Sequence, residues 1–309
     1  MARRAWQAAR AVIAVAAVTM ALAACGSTDD PKPSSSMPVS GTATLEIGGR
    51  QVTVHVPASY DPARPAPLLV ALHGYTSYGK QMEQYMGLTA ESDRRGFVYA
   101  YPDGLVDSRG ANFWNATDAC CDFFHQQPDD SGYLSGLITT LEGTYRIDRA
   151  RVYLIGHSNG GFMSFRMACE HADQVTAIVS LNAATWNDAA RCRPSEPVSV
   201  LAIHGSADET IAFEGGLNNG VAYPSADATV TQWRGYDGCG ADGRDGPKLD
   251  LIASLPGAET SVRTYSSGCA GGSTVQAWTM TGGSHVPQLT AAFAPAVTDF
   301  LLSQVKPAR

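Results

Sequence analysis

The run GHSNGG at residues 156–161 carries the clearest chemistry in the sequence. It is a G-x-S-x-G motif that follows the apolar stretch Val152–Ile155 and precedes a segment of helical composition. In a strand–turn–helix context this motif holds a serine in a sharp, strained turn, and its small flanking residues let strand and helix approach. Ser158 is therefore predicted to be a nucleophile at the head of a helix, where free N–H groups favour developing negative charge.

A serine hydroxyl is a weak nucleophile that needs a base, and a third group must orient that base. In this motif's usual setting the partners follow in the order Ser, acid, His. Asp208 comes just after the apolar run Val198–Ile203 and is the predicted acid; Glu209 is its rival, and a simple turn aspartate is the structural alternative. Of the 7 histidines only His285 follows both Ser158 and Asp208, so it is the predicted base.

Two backbone donors are expected to bind the oxyanion of a tetrahedral intermediate. The first is the N–H of Asn159, the residue after the nucleophile. The second should come from residues 73–76, which follow the apolar run Leu68–Leu72. The N–H of Tyr75 is the first choice and that of Thr76 the second. Three other histidines are predicted to support loops or the core: His73, His157 and His204.

The segments that must position these residues alternate between apolar runs and stretches of helical composition. Thr42–Ile47 and Gln51–Val56 alternate apolar and polar residues around a Gly-Gly pair, which predicts a hairpin. Six short apolar runs are typical of buried parallel strands: Leu68–Leu72, Phe97–Tyr101, Val152–Ile155, Ala177–Leu181, Val198–Ile203 and Val275–Met280. Helices are predicted over Gln81–Arg95, Gly132–Tyr145, Gly160–His171 and Thr290–Val305.

This order predicts an α/β fold with about eight mostly parallel strands and helices on both faces of the sheet. Residues 223–263 are richer in Gly, Asp and Ala and are predicted to form an insertion or a long loop.

Residues 1–24 are predicted to be a lipoprotein signal peptide. Three arginines and no acids flank or open a 14-residue apolar run, Ala11–Ala24, which is too short to span a membrane but suits a signal peptide. Small residues before Cys25 resemble a bacterial lipobox, so Cys25 is predicted to be lipidated; a plain secretory signal and twin-arginine export are the alternatives. Residues 25–40 are rich in Ser, Pro and Asp, which predicts a flexible tether. The catalytic domain is predicted to span residues 41–309.

Six cysteines remain after Cys25, and an even number in an exported chain indicates disulfides. We expect Cys239 to pair with Cys269. Adjacent cysteines rarely bond each other, so Cys120 and Cys121 are expected to pair with Cys169 and Cys192, in an order left open. The sequence has no C-x-x-C pair or H-x-x-x-H spacing, so no metal and no other cofactor is expected.

The composition, 44% apolar and 17% charged, supports a large core and argues against disorder. Removing the leader's three arginines leaves 19 basic against 29 acidic side chains, so the formal charge of −7 becomes −10. That balance argues against a nucleic-acid surface. Apart from an ester substrate and a membrane reached through the lipid anchor, no obligate partner is expected.

Five segments together resemble the polyhydroxybutyrate-depolymerase / feruloyl-esterase family of secreted α/β-hydrolases. They are LHGYTS at 72–77, NFWNATDACC at 112–121, DDSGYLSGLI at 129–138, RVYLIGHSNGGFMSFRMACE at 151–170 and LAIHGSADETIAF at 201–213. The resemblance covers residues 42–305 and implies the α/β-hydrolase fold and a serine esterase that uses Ser158, Asp208 and His285. Many members carry an aromatic residue and a glycine after the histidine, where this chain has Val286-Pro287-Gln288, a difference that bears on the pocket.

The sequence says less about the substrate. Phe113, Trp114, Asn115 and Trp186 are candidates for stacking on or binding a feruloyl or sugar ring, with coverage of the core as the alternative. We expect an exported, lipid-anchored or extracellular serine carboxylesterase acting on feruloyl or acetyl esters of plant polysaccharide, or on related small esters. The alternatives are a short-chain polyhydroxyalkanoate depolymerase, an exopeptidase of the same fold and a non-catalytic surface-binding lipoprotein.

Overall fold

A ten-stranded sheet with helices packed on both faces organises the described part of the chain, residues 37–307 of a computed structural model. These residues belong to one compact unit. The predicted signal peptide, the lipidation site Cys25 and most of the predicted tether lie outside the described residues.

The strands, in chain order, are β1 (Gly41–Ile47), β2 (Arg50–Val56), β3 (Ala66–Leu72), β4 (Val98–Pro102), β5 (Leu105–Val106), β6 (Asn112–Phe113), β7 (Ile147–His157), β8 (Ala177–Leu181), β9 (Ser199–Gly205), β10 (Gly216–Asn218), β11 (Val221–Tyr223), β12 (Arg244–Asp245), β13 (Thr260–Tyr265) and β14 (Val275–Met280). The helices are α1 (Gly79–Met86), α2 (Leu88–Arg95), α3 (Asp130–Thr144), α4 (Asn159–Glu170), α5 (Ala226–Tyr236) and α6 (Phe293–Ser303).

The strand order of the main sheet is β1-β2-β4-β3-β7-β8-β9-β14-β13-β12. The six strands from β4 to β14 in this order run parallel, and the pairs at either end are antiparallel. Strands β3, β4 and β8 are buried along their whole length, which explains why they are near-continuous apolar runs. The carboxyl ends of the parallel strands share one edge of the sheet, where the predicted chemistry converges.

Both ends of the described chain lie near the amino ends of the parallel strands, opposite the strand ends where the predicted chemistry converges. The hydroxyl of Tyr145, two residues before β7, donates to the carbonyl of Pro38 over 2.9 Å. The N–H of Lys306 donates to the carbonyl of Ala150, in the first half of β7, over 3.0 Å. Ser158 follows the other end of that same strand.

The sequence predicts one helix over Gln81–Arg95, but the structure has two, because Gly87 adopts a left-handed conformation (φ 67°) between α1 and α2. The Gly87 N–H closes α1 on the carbonyl of Glu83, and the Glu83 carboxylate accepts the first N–H groups of α2, from Leu88 and Thr89. Capping at both sides of one glycine thus replaces a continuous helix.

Residues 223–263 only partly match the predicted insertion or long loop: residues 237–259 contain a single two-residue strand, but much of the remainder is regular. They contain α5, the short strand β12 and most of β13, which add an antiparallel edge to the sheet. The main sheet therefore has ten strands rather than about eight. The prediction missed β13 because its burial alternates along TSVRTY, so it lacks the apolar run of a fully buried strand.

The disulfide pairing differs from the prediction in one respect. Cys239 is bonded to Cys269, as expected, but Cys169 is bonded to Cys192, with a Cα–Cα distance of 5.5 Å. Cys120 and Cys121 are bonded to each other. The expectation that adjacent cysteines each reach elsewhere was wrong here, because Cys169 at the end of α4 and Cys192 already satisfy each other.

Candidate active site

Ser158 stands at the turn between β7 and α4, as the motif predicts. Its φ of 53° and ψ of −121° place it outside the regions that a non-glycine residue ordinarily occupies. The turn is held from both sides: the Ser158 N–H donates to the carbonyl of Leu181 over 2.9 Å, and the Ser158 carbonyl accepts the N–H of Phe162 over 3.0 Å. Strain of this kind persists because the neighbouring strand and helix fix the turn.

The glycines of the motif are required by close backbone packing. A Cβ at Gly156 would overlap the carbonyl of Gly160, and a Cβ at Gly160 would overlap the carbonyl of Leu72 in β3. A Cβ at Gly161 would lie 2.7 Å from that of Ala183. Because glycine has no side chain, these positions allow β3, β7 and α4 to pack closely around Ser158.

The structure brings the three residues of the predicted triad together from three strand ends. His285 Nε2 lies 2.9 Å from Ser158 Oγ, and His285 Nδ1 lies 2.8 Å from Asp208 Oδ2 and 3.0 Å from Oδ1. The Asp208 side chain is fully buried, whereas Ser158 and His285 keep 9% and 8% of their surface exposed. Glu209, the rival acid, instead accepts the backbone N–H of His285 over 3.3 Å.

Asp208 remains ionised although it is buried. Burial alone would raise the pKa of this carboxyl, but hydrogen bonds from His204, His285 and the backbone N–H of Ile211 outweigh it and hold the pKa well below its usual range. Asp208 Oδ1 accepts the N–H groups of Thr210 and Ile211, each over 2.8 Å. A negative charge is thus fixed behind the imidazole.

His157 packs beside the site as a neutral ring. Burial, and then the proximity of His285, lower its pKa from 6.5 to about 4. Its Nε2 lies 2.8 Å from the carbonyl oxygen of His285, and the two rings are 5.0 Å apart. Because a carbonyl only accepts, Nε2 carries the proton and donates it. His157 therefore places no positive charge beside His285.

The other two histidines hold loops, as the sequence suggests. His73 donates from Nδ1 to the carbonyl of Gly74 and accepts the N–H of Gly104 at Nε2, each over 2.8 Å. Burial lowers its pKa to about 4, which suits a ring that accepts at one nitrogen. His204 Nε2 donates to the carbonyl of Ile211 over 2.7 Å and so supports the loop of Asp208.

The candidate oxyanion donors differ in availability. In the described chain the N–H groups of Asn159 and Tyr75 have no acceptor, whereas the Thr76 N–H is occupied by the carbonyl of Asn112 over 2.9 Å. A Cβ at Gly74 would lie 3.5 Å from the Cβ of Ser158, so the residue before Tyr75 packs against the serine. The geometry favours Tyr75 over Thr76 as the second donor.

The side chain of Asn159 anchors a distant segment. Its Oδ1 accepts the Trp114 N–H over 2.7 Å and its Nδ2 donates to the Trp114 carbonyl over 2.8 Å. The same Nδ2 lies 3.6 Å from Cys120 Sγ. The first residue of α4 is thereby fixed to the segment that carries the vicinal disulfide.

The aromatic residues proposed to bind substrate are deeply placed. Phe113 and Trp114 have 1% and 0% of their surface exposed, and Trp186 has 5%. The Trp114 Nε1–H donates to the carbonyl of His73 over 3.2 Å. The expectation that Phe113 and Trp114 stack on a ring does not fit this burial, which matches the alternative that they cover the core.

Asn115 is partly buried, and its amide donates to the carbonyl of Pro128 over 3.0 Å. The Asn115 carbonyl also accepts from Arg166 in α4 over 2.6 Å. The structure therefore gives Asn115 a role in holding its own segment.

Sequence reasoning missed Asn182, which directly follows β8. The residue is fully buried, and its Nδ2 donates to the carbonyls of Ser284 and His285 over 3.0 and 2.8 Å. Its φ is 54°, a left-handed conformation that asparagine tolerates better than most residues. An asparagine immediately after a buried strand was the available signal.

No group of three or more His, Cys, Asp or Glu side chains within residues 37–307 could hold a metal ion. In the same range no helix combines the length and apolarity needed to cross a membrane.

The fold and the serine–histidine–aspartate geometry define an α/β-hydrolase. The acetyl xylan esterase from Aspergillus awamori superposes with a TM-score of 0.59 at 15% identity, covering 84% of this chain and 98% of that one. Est1E from Butyrivibrio proteoclasticus superposes with a TM-score of 0.51 at 12% identity, covering 85% of this chain and 98% of that one.

Sequence comparison is more specific. The family model described as "Putative esterase" matches residues 47–230. The chain is 30% identical over 266 residues to the protein described as "Putative esterase NocK" of Nocardia uniformis subsp. tsuyamanensis, a match covering 81% of this chain and 75% of that protein. It is 25% identical to feruloyl esterase C of Emericella nidulans, with 73% of each covered. Feruloyl esterase B of Piromyces equi is 27% identical over 76% of this chain and 42% of its own length.

The chain belongs to this esterase family and is a carboxylic ester hydrolase.

Proposed function

We propose that this hydrolase works as a serine esterase in which Ser158 is the nucleophile, His285 the base and Asp208 the orienting acid. The observation that carries the proposal is the pair of distances at His285, 2.9 Å to Ser158 Oγ and 2.8 Å to Asp208 Oδ2. Both lie within the range for hydrogen-bonded proton transfer. His285 Nδ1 carries the ring proton and donates it to the ionised carboxylate of Asp208. His285 Nε2 is therefore unprotonated and can accept the proton of Ser158.

In this mechanism Ser158 Oγ attacks the ester carbonyl while its proton passes to His285 Nε2. The resulting oxyanion is stabilised by the N–H groups of Asn159 and Tyr75, which are fixed before the reaction begins. The intermediate collapses when His285 returns the proton to the leaving alcohol, which leaves an acyl group on Ser158. Water, activated by the same imidazole, then releases the acid and restores the serine.

The proposed substrates are feruloyl or acetyl esters of plant polysaccharide and related small esters. Support comes from the relatives, which include feruloyl esterases and a bifunctional acetylxylan esterase/xylanase of Neocallimastix patriciarum.

The second candidate substrate class is short polyhydroxyalkanoate esters, which exposed apolar side chains also support. Five of the seven exposed large apolar side chains of residues 37–307 follow the carboxyl ends of parallel strands, on the side of the sheet where Ser158 stands. They are Tyr78, Leu105, Val106, Leu217 and Val286. Exposed apolar side chains in these segments suit an aliphatic polyester as well as an aromatic acyl group.

Labelling with a fluorophosphonate probe tests the nucleophile. The wild-type protein should be labelled and Ser158→Ala should not, while circular dichroism shows both to be folded. Labelling that persists in Ser158→Ala would remove the proposed mechanism. Rates with methyl ferulate, p-nitrophenyl acetate and hydroxybutyrate oligomers then separate the substrate classes, and activity confined to the oligomers would replace the first candidate by the second.

We also propose that the enzyme is exported and held at the membrane by a lipid on Cys25. Support comes from the basic, apolar leader and the small residues before that cysteine. Radiolabelled palmitate should be incorporated by the wild-type protein and not by Cys25→Ala. Incorporation that survives the substitution would contradict the assignment.

A further inference from the structure

Asn182 occupies a position between the strands that carry the nucleophile and the acid. It follows β8, which lies between β7, the strand of Ser158, and β9, the strand that leads to Asp208. Its own N–H donates to the carbonyl of Ile203 in β9 over 2.8 Å. The backbone of Asn182 is therefore hydrogen-bonded to β9, in addition to the contacts that its side chain makes.

The side-chain amide makes three hydrogen bonds that join two separate segments. Oδ1 accepts the N–H of Gly205, three residues before Asp208, over 2.8 Å. Nδ2 donates to the carbonyls of Ser284 and His285 over 3.0 and 2.8 Å. One buried amide thus links the end of β9 to the loop after β14 on which the base stands.

The carbonyl of His285 receives a second buried donor. His157 Nε2 donates to the same oxygen over 2.8 Å, from the residue directly before the nucleophile. The backbone of His285 is consequently held by His157, from the elbow, and by Asn182, which follows β8. Two donors on one carbonyl restrict where the imidazole can swing, because the His285 side chain springs from that same backbone.

We propose that Asn182 is a positioning residue that sets the location of His285 relative to Ser158 and Asp208. The proposal rests on the catalytic roles assigned above. Asn182 touches neither the reacting atoms nor the imidazole in the described contacts, so it acts through the backbone of the base. A displacement of about 1 Å in such a group can cost on the order of 100-fold in rate.

The chemistry of an amide suits this position, and a carboxylate does not. An amide donates to the two carbonyls and accepts one N–H, whereas a carboxylate only accepts. Asn182→Asp has nearly the same shape but faces the carbonyls of Ser284 and His285 without a proton to share. Asn182→Ala removes all three side-chain hydrogen bonds, and Asn182→Ser keeps a hydroxyl that can serve one of them.

Thr185→Val is a matched control. Thr185 lies three residues further along the same segment and is fully buried, and its hydroxyl has no partner within residues 37–307. The substitution is isosteric and removes a buried polar atom that makes none of the contacts of Asn182. Any general effect of altering this buried segment should appear in Thr185→Val as well.

The test measures kcat and KM with p-nitrophenyl acetate, the thermal midpoint, and the downfield proton resonance of the His285 Nδ1–H shared with Asp208. We expect Asn182→Asp and Asn182→Ala to lower kcat by about 100-fold with KM within about threefold of wild type, and to shift or broaden that resonance. Asn182→Ser should lose less, and Thr185→Val should match wild type. If the Asp and Ala variants do not fold, Asn182→Ser decides the question.

A folded Asn182 variant with wild-type kcat and an unchanged proton resonance would overturn the proposal. So would an equal loss of kcat in Thr185→Val. Failure of the proposed mechanism is distinguishable, because it would show as fluorophosphonate labelling or full activity in Ser158→Ala, whatever the Asn182 variants do.

Discussion

Two parts of the molecule meet at Ser158, and they are held by opposite means. The elbow at residues 156–161 is shaped by close packing: a Cβ at Gly156 or Gly160 would overlap backbone, and a Cβ at Gly161 would press on the side chain of Ala183. The segment between β4 and α3, residues 103–129, is shaped by attraction between polar groups. Asp107 accepts the N–H groups of Arg109 and Ala111, and Asp130 accepts that of Asn115 over 2.6 Å.

The difference concerns how far apart in sequence the determinants lie. The residue types that the elbow requires lie within six consecutive positions, although the groups they pack against, such as Leu72 and Ala183, lie far along the chain. The 103–129 segment depends on partners far along the chain, such as Asn159, which is 45 residues from Trp114. The elbow should therefore fail at single positions, whereas the 103–129 segment should lose stability by increments.

The largest loss of activity is expected for a substitution of Asp208. Asp208→Asn should lower kcat by about 10⁴-fold, because the amide cannot hold the imidazole in the required tautomer. Glu209→Gln is the control, since Glu209 reaches only the backbone N–H of His285, over 3.3 Å. Steady-state kinetics checks both, and an equal loss in the two variants would restore Glu209 as the acid.

A pair of glycines tests the claim of steric exclusion. Gly160→Ala should destabilise the fold by about 3 kcal/mol or more, because the new Cβ overlaps the backbone carbonyls of Leu72 and His73. Gly136→Ala, in an exposed position of α3 with open space around it, should instead stabilise by about 0.5–1 kcal/mol. Urea denaturation measures both, and a tolerated Gly160→Ala would show that close packing is not what shapes the elbow.

The disulfides sharpen the comparison through chain entropy. Cys169–Cys192 ties α4, the elbow's helix, to residues 23 positions away, whereas Cys120–Cys121 spans a separation of 1. Replacing Cys169 and Cys192 by alanine should cost about 3 kcal/mol, or roughly 6–12 °C in the thermal midpoint. The alanine pair at Cys120 and Cys121, which are equally buried, should cost much less. Equal losses would mean that chain entropy is not the source of the stability.

A buried carboxyl away from both parts separates the pH dependence of stability from that of catalysis. Burial raises the pKa of Asp237 from 3.8 to about 6, and the Val198 N–H offsets this only in part. The folded state therefore keeps a proton that the unfolded state has lost between about pH 4 and 6. The free energy of unfolding should fall by about 2–3 kcal/mol as pH rises through that window.

Asp237→Asn should flatten this fall and leave the shape of the kcat profile unchanged. Denaturation curves at several pH values measure the first, and rates at the same values measure the second. A fall that persists in the variant would assign the titration to another group.

The same contrast explains what the sequence predicted. Strand β3 is apolar throughout and β8 is interrupted only by Ser180, and the elbow follows another largely apolar run, so burial and the local motif were enough to place these strands and Ser158. The order of the motifs along the chain then pointed to Asp208 and His285. These residues could be predicted because Asp208 and His285 lie three and five residues after the ends of β9 and β14.

What could not be predicted depends on long-range contacts. The interior position of Trp114 follows from bonds to Asn159 and His73, and nothing near Trp114 in the sequence indicates them. Strand β13 was not predicted because it is half-exposed and is held in place by its pairing with β14. The role of Asn182 follows from contacts with residues more than 100 positions away.

The positions of Pro38 and Lys306, near the two ends of the described range, matter for how the enzyme can be attached to other molecules. Pro38 and Lys306 are bonded near the start of β7, and Ser158 lies eight residues beyond Ala150 on that strand, about 26 Å away at the rise of an extended chain. A tag, a fusion partner or a solid support joined at Pro38 or Lys306 would therefore lie toward the amino ends of the parallel strands, away from Ser158. An enzyme immobilised in this way should present its catalytic edge outward to an insoluble substrate.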